Sequence, residues 1–278
     1  MSASALDAVE AAVGVSKPDP ILVADAVQRR YGGLTAVDVD HLEVPRGVIC
    51  ALIGPNGAGK TTFFNLLCGF DQPDTGRWTF DGRAANGVRP HVLARRGMVR
   101  TFQLTKTLAR MTVRDNLLLA PKHQPGERLL GGLLGRGREA EQRNQERADE
   151  MLDRFNLAHL ADEYAAGLSG GQRKLLEMAR ALMAGPSLVM LDEPMAGGNP
   201  ALTQSLLGHI TALRDEGMSI LFVEHDMDVI MTISDWVVCM AEGRVIAEGR
   251  PADIAGNDAV IEAYLGIDHG GSTRGTIS

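Results

Sequence analysis

The sequence predicts a parallel α/β fold with its chemistry at the carboxyl edge of the sheet, and three observations carry that prediction. Short apolar runs without polar alternation, Val48–Ile53, Ser187–Leu191, Ser219–Val223 and Trp236–Met240, have the texture of strands buried on both faces. Stretches of helical periodicity separate them, the alternation from which parallel sheets are built. A glycine-rich loop, Gly54-Pro55-Asn56-Gly57-Ala58-Gly59-Lys60-Thr61-Thr62, stands between the first of these strands and a helix over Phe63–Cys68, and it fits the phosphate-binding pattern at every position.

The elements follow in order. Residues 1–20 are Ala- and Ser-containing and end in Lys17-Pro18-Asp19-Pro20, which predicts a flexible leader. Ile21–Tyr31 and Val37–Val44 read as two strands about the turn Gly32-Gly33, and Pro45-Arg46-Gly47 leads into the strand before the loop. Tyr31 ends the first strand, where an aromatic ring either stacks on a base or simply packs. Past the loop's helix, Asp71–Gly76 is a turn, Trp78–Phe80 a short strand and Asp81-Gly82 a tight hairpin signal. Gly97–Gln103 reads as a strand ending in a polar amide.

From Leu104 to Ala184 the periodicity is mostly helical, interrupted over Ala120–Arg138 by Gly, Pro and basic residues. Within that interruption Leu129–Leu134 reads either as a loop or short helix on its own domain or as an element for a membrane surface or partner. Glu139–Phe155 reads as a charged amphipathic helix. Gln172–Met183 is a second, with Leu175, Leu176, Ala179, Leu182 and Met183 on its apolar face. A helix over Pro200–Glu216, started by Asn199-Pro200, separates two of the buried strands. Arg244–Glu248 then reads as an edge strand, Pro251–Leu265 as one closing helix and Asp268–Ser278 as a polar tail. There is no internal repeat.

Composition narrows the function. A chain of 278 residues supports one large domain, or one with a smaller insertion. Its net charge of -7 argues against a general nucleic-acid-binding surface. Cys50, Cys68 and Cys239 show no Cys-x-x-Cys spacing and read as small core residues in a reducing compartment. No apolar run approaches the ~20 residues needed to span a bilayer, and the N-terminus lacks the pattern of a secretory signal, so a soluble chain is expected, with any membrane role mediated by a partner.

The loop's glycines let successive backbone N–H groups turn toward one anion, and the helix behind them adds the positive end of its dipole. Lys60 is placed to reach the β- and γ-phosphates of a nucleotide, and the Thr61 hydroxyl to ligate Mg²⁺. A second site is implied by Leu188-Val189-Met190-Leu191-Asp192-Glu193, an apolar strand ending in two acids, the form of a Walker B motif. Unpaired buried acids are costly, so adjacent carboxylates at a strand tip need a purpose such as a metal. Asp192 is assigned to the Mg²⁺ shell and Glu193 to the general base that polarises the attacking water. Phe222-Val223-Glu224-His225-Asp226 puts His225 past another strand tip on the same sheet edge, within reach of a γ-phosphate.

Leu168-Ser169-Gly170-Gly171-Gln172, lying between these two motifs and opening a helix, resembles the signature of ABC-transporter ATPase subunits. The resemblance extends to Tyr31 as the A-loop aromatic, Gln103 as the Q-loop, Met195–Pro200 as the D-loop and His225 as the switch histidine. A narrower resemblance, to importer ATPases for branched-chain and other hydrophobic amino acids, rests on several stretches. They are Arg100-Thr101-Phe102-Gln103, Met111–Leu117, Asp192–Pro200, Glu224–Met227 and Ala263-Tyr264-Leu265-Gly266, together with the extra segment after Ala120.

The resemblance implies a P-loop NTPase (RecA-like) parallel-sheet core, with an antiparallel β subdomain and an inserted helical subdomain. The core is expected over 21–103 and 185–267, the helical subdomain with the signature over 104–184, and a flexible tail over 268–278. ATP and Mg²⁺ are the implied ligands. Tyr31 and the loop hold the nucleotide, Gln103 joins Thr61 and Asp192 at the metal, and Gln103 and His225 join Glu193 in catalysis. Ser169, Gly170, Gly171 and Gln172 face the nucleotide of a second ATPase subunit, identical or related, in a head-to-tail dimer.

Integral-membrane permease subunits, an extracytoplasmic substrate-binding protein and a peripheral location on the cytoplasmic face of the cell membrane are further implications. No nucleic-acid partner is implied. Alternatives at this level are uptake of urea or short amides, lipid export, a soluble ABC ATPase of DNA repair or translation, and a nucleotide-binding module without catalysis. One departure from the pattern is Gly198, where a Leu is expected. A second glycine beside Gly197 should loosen the D-loop.

Overall fold

The protein was analysed as a computed structural model, which describes residues 6–101, 107–120 and 136–265. Gln103, the apolar stretch 129–134 and the polar tail lie outside the described residues. The chain divides into two units, Met1–Leu93 with Thr211–Ser278, and Ala94–Ile210.

In the first unit two sheets form. β1 (Pro20–Tyr31) and β2 (Leu34–Pro45) make an antiparallel hairpin about Gly32-Gly33, with Tyr31 opposite Leu34. β1 also pairs with β4 (Thr75–Phe80), which turns at Asp81-Gly82 into β5 (Arg83–Ala84), giving the order β2-β1-β4-β5. In the second sheet β3 (Ile49–Ile53) lies between β8 (Ser219–Val223) and β9 (Trp236–Ala241), parallel to both, and β10 (Arg244–Gly249) closes the edge antiparallel to β9. All five residues of β3 and of β8 are buried, as continuous apolar runs require when both faces are covered. α1 (Lys60–Leu67) buries Phe63, Phe64, Leu66 and Leu67, each fully buried side chain contributing about 1.5–3 kcal/mol.

In the second unit β6 (Met98–Arg100) and β7 (Leu188–Asp192) are parallel neighbours. Around them are α3 (Val113–Leu118), α4 (Arg136–Arg154), α5 (Gly170–Met183) and most of α6 (Pro200–Asp215). Thr112 caps α3 by accepting the Asp115 N–H at 3.0 Å. The buried Asn116 amide is satisfied by the Leu108 N–H, 2.8 Å, and the Thr112 carbonyl, 2.9 Å.

Three expectations need correction. The closing helix is two helices, α8 (Pro251–Ala255) and α9 (Asp258–Leu265), because Gly256 ends the first and the Asn257 side chain accepts the Val260 N–H at 3.3 Å to start the second. The strand expected over Gly97–Gln103 ends at Arg100. The leader, from Leu6 on, is held to the body. Leu6 is buried, and Lys17 Nζ forms a buried ion pair with Glu248 of β10 at 2.5 Å. The same carboxylate accepts the Gly14 N–H at 2.6 Å and Trp236 Nε1–H at 3.0 Å. Two short helices, α2 (Pro90–Arg96) and α7 (Met227–Ile233), were not anticipated, each being too short to establish a helical period. Among the described residues no helix is long and apolar enough to cross a membrane.

Candidate functional site

The glycine-rich loop leaves the carboxyl end of β3 and enters α1 at Lys60. Gly54 has φ +141°, and a Cβ there would lie 2.0 Å from the Met240 carbonyl oxygen of β9. Gly59, at φ +95°, lets the loop close against β2, since a Cβ would come within 2.3 Å of Ala36 O. The floor is tied down where Gly243 N–H donates to Ala58 O at 3.0 Å. Lys60, almost fully buried, donates to Gly54 O at 2.5 Å and Pro55 O at 2.9 Å, so its ammonium lies inside the curve of the loop. Asn56, Gly57 and Thr61 form the exposed rim.

β8 runs parallel to β3 with Leu52 opposite Val223, so the loop and His225 emerge at the same end of adjacent strands. Asp226 then starts α7 by accepting N–H groups of Asp228, 3.0 Å, and Val229, 3.3 Å, which holds the exposed His225 on a short tether between strand and helix. Tyr31 is half exposed. Its hydroxyl donates to Asp71 Oδ2 at 2.5 Å, and the Arg29 guanidinium lies 4.8 Å from its ring centroid. Burial pushes the Asp71 carboxyl up, yet the Tyr31 hydroxyl, the Gln72 N–H and Arg29 together outweigh it and hold the group below its usual value.

In the second unit Asp192 is the last residue of the buried strand β7, and its Oδ2 accepts from Arg100 Nη2 at 2.6 Å. Asp192 is buried and the Arg100 side chain nearly so, and the strand tip carries a matched charge pair. Glu193 follows with φ +48°, a left-handed conformation that non-glycine residues rarely adopt and that turns the chain sharply off the strand. The D-loop comes next. Lys174 of α5 donates to the carbonyls of Pro194, at 2.9 Å, and Ala196. Asn199 Oδ1 accepts the Leu202 N–H at 2.8 Å, making it the cap of α6 ahead of Pro200.

The residue needing glycine's freedom in the D-loop is Gly197, at φ +67°. Gly198 has no such angle, and its N–H donates to Met195 O at 3.0 Å. A Cβ at 198 would meet Met195 O at 3.1 Å, so the absence of a larger residue there goes with close packing.

The signature opens α5 with a capping box. Ser169 Oγ accepts the Gln172 N–H at 3.2 Å, and Gln172 Oε1 accepts the Ser169 N–H at 2.8 Å. The Ser169 hydroxyl still has a proton to donate, at an exposed helix N-terminus. A Cβ on Gly171 would meet Leu202 at 3.1 Å, whereas one on Gly170 would meet nothing within 4 Å.

Residues 37–196 match the ABC transporter family, and residues 244–270 match the branched-chain amino acid ATP-binding cassette transporter family. The chain belongs to the ABC transporter family. It is an ATP-binding, ATP-hydrolysing subunit. This ABC ATPase is 43% identical over 246 residues to the probable branched-chain amino acid transport ATP-binding protein LivG of Archaeoglobus fulgidus, covering 88% of this chain and 95% of that one. It is 42% identical over 250 residues to the high-affinity branched-chain amino acid transport ATP-binding protein BraF of Pseudomonas aeruginosa, with 89% and 98% covered.

Among solved structures, a nucleotide-free ATP-binding cassette from an ABC transporter superposes with a TM-score of 0.76 at 35% identity, covering 88% of this chain and 98% of that one. An ADP conformation of such a cassette superposes with a TM-score of 0.75 at 33% identity, with 90% and 100% covered. The P-loop NTPase fold expected from the sequence is therefore the fold of this ABC ATPase.

The candidate metal ligands fit Mg²⁺ by the chemistry of their donor atoms. Each candidate with a described position, the exposed Thr61 hydroxyl in the first unit and, separately, the Asp192 carboxylate in the second, is a hard oxygen of the kind Mg²⁺ takes, and Asp192 already balances one positive charge at Arg100. Among the described residues no group of three or more His, Cys, Asp and Glu side chains is arranged as a metal centre. Three residues escaped sequence reasoning: Arg100, Lys174 and Tyr264, whose hydroxyl accepts the Gly54 N–H at 2.9 Å. Arg100 and Tyr264 stood inside quoted stretches, but nothing local in a sequence names a partner 92 or 210 residues away.

Proposed function

We propose that this ATPase drives import of branched-chain or other hydrophobic amino acids. In this reading it works as one of two head-to-tail subunits on the cytoplasmic face of an integral-membrane permease, supplied by an extracytoplasmic substrate-binding protein. The observation that carries the cargo is the match of residues 244–270, with the names of the relatives above as support.

In this reading Gly54, Pro55, Asn56, Gly57, Ala58, Gly59, Lys60, Thr61 and Thr62 hold the phosphates of ATP, and Tyr31 stacks on the base through the ring face away from Arg29. Thr61, Gln103 and Asp192 hold Mg²⁺, which when bound neutralises charge on the phosphate oxygens. Glu193 orients the attacking water and takes its proton, with Gln103 and His225 sensing the γ-phosphate. Ser169, Gly170, Gly171 and Gln172 present hydroxyl and N–H donors to the nucleotide bound by the partner subunit, so ATP bridges two chains and its hydrolysis releases them.

The test is uptake of labelled leucine, isoleucine, valine and urea in cells lacking the chain and in cells complemented with it or with Glu193→Gln. Leucine, isoleucine and valine uptake should vanish with the chain, return with wild type and stay absent with the variant. Loss of urea uptake alone would overturn the cargo, and full ATPase activity in purified Glu193→Gln would overturn the choice of base.

A further inference from the structure

α9 lies about two hundred residues from the phosphate loop in sequence, yet its penultimate residue reaches the loop's first peptide. Tyr264 is half-buried while its neighbours on the helix, Ile261 and Leu265, are exposed, so its side chain alone of the three turns into the protein. Its hydroxyl accepts the Gly54 N–H at 2.9 Å. On the other side of the same residue the Gly54 carbonyl accepts from Lys60 Nζ at 2.5 Å.

Gly54 is thus held through both backbone polar groups, at a φ of +141° that only the surroundings keep in place. Pulling the N–H away would free the hinge about which the loop leaves β3, and with it the carbonyl that positions the lysine. Burial and the nearby Cys239 push the Tyr264 phenol above its usual value, while the Gly54 N–H draws it down, so the group stays a neutral acceptor.

We propose that Tyr264 is a positioning residue for nucleotide binding, fixing the first peptide of the phosphate loop so that the C-terminal helix sets the affinity for ATP. This deepens the nucleotide-site reading and rests on it. A tyrosine that only anchored α9 would have no effect on the nucleotide.

The experiment uses the full chain as wild type, Tyr264→Phe and, as a control, Leu265→Ala. ATP affinity is read by titration with a fluorescent ATP analogue, KM and kcat by phosphate release, stability by thermal unfolding, and the loop by deuterium exchange. Tyr264→Phe should weaken ATP binding and raise KM about fivefold, the loss of one hydrogen bond, with kcat unchanged. Exchange should also rise in the peptide containing Gly54, and Leu265→Ala should match wild type.

ATP affinity equal to wild type in Tyr264→Phe overturns the proposal. So does an equal loss in Leu265→Ala. A wild-type chain that binds no ATP would instead overturn the nucleotide site itself.

Discussion

Gly170 and Gly171 are neighbours in the sequence with opposite surroundings. Gly171 is a packing residue, pressed on Leu202, whereas Gly170 is exposed and has room for a methyl group within its own chain. Alanine also favours helix more than glycine does. Gly170→Ala is therefore expected to keep or slightly raise the unfolding temperature, yet to weaken ATP-driven dimerisation about tenfold, because in the proposed head-to-tail dimer the methyl would stand where the partner's phosphate approaches. Dimerisation and hydrolysis at wild-type levels, measured by light scattering and phosphate release, would remove Gly170 from the subunit interface.

Legibility divides at this scale too. The phosphate loop could be read because its chemistry is local, nine successive residues turning on their own backbone. Arg100, sealed against Asp192, and Tyr264 could not, since each acts on a group that only folding brings near.

Helices and strands followed their periodicity where they were long. α4 and α5 start and stop within a few residues of expectation, and the buried strands match their apolar runs. What failed was punctuation by side chains, as at Asn257, where an amide cap restarts a helix that periodicity alone continues.

α6 also carries a residue that titrates. His209 packs at a tilt against Phe155, ring centroids 4.5 Å apart and planes 40° from parallel, and burial followed by the charge of Arg154 lowers its pKa from 6.5. The unfolded chain takes up this proton at higher pH than the folded chain does. His209 therefore costs nothing above pH 6.5 and destabilises the fold progressively as pH falls below it. Urea unfolding at pH 7.5 and 5.5 should show that loss, and His209→Gln should shrink it. An identical pH dependence in the variant would assign the proton elsewhere.

At the scale of the whole molecule, the described part of the first unit is fastened at both ends of its chain. The Lys17–Glu248 pair is buried, with the ammonium 5.2 Å from the Trp236 ring centroid and the carboxylate shared with Gly14 and Trp236 donors. Removing one member of such a pair leaves an uncompensated charge, so Lys17→Met is expected to destabilise the protein by about 3–5 kcal/mol in urea unfolding. A loss below about 1 kcal/mol would mean the pair is no stronger than one at the surface.

The sequence hid this because a lysine among prolines before the first strand has every mark of a solvated tail. An expression boundary drawn at Pro20, where the first strand starts, would delete that lysine, leave the buried Glu248 carboxylate without its counter-charge and uncover Trp236 and the rim of β10. Such a shortened protein would keep every residue of the nucleotide loop and still be prone to clump.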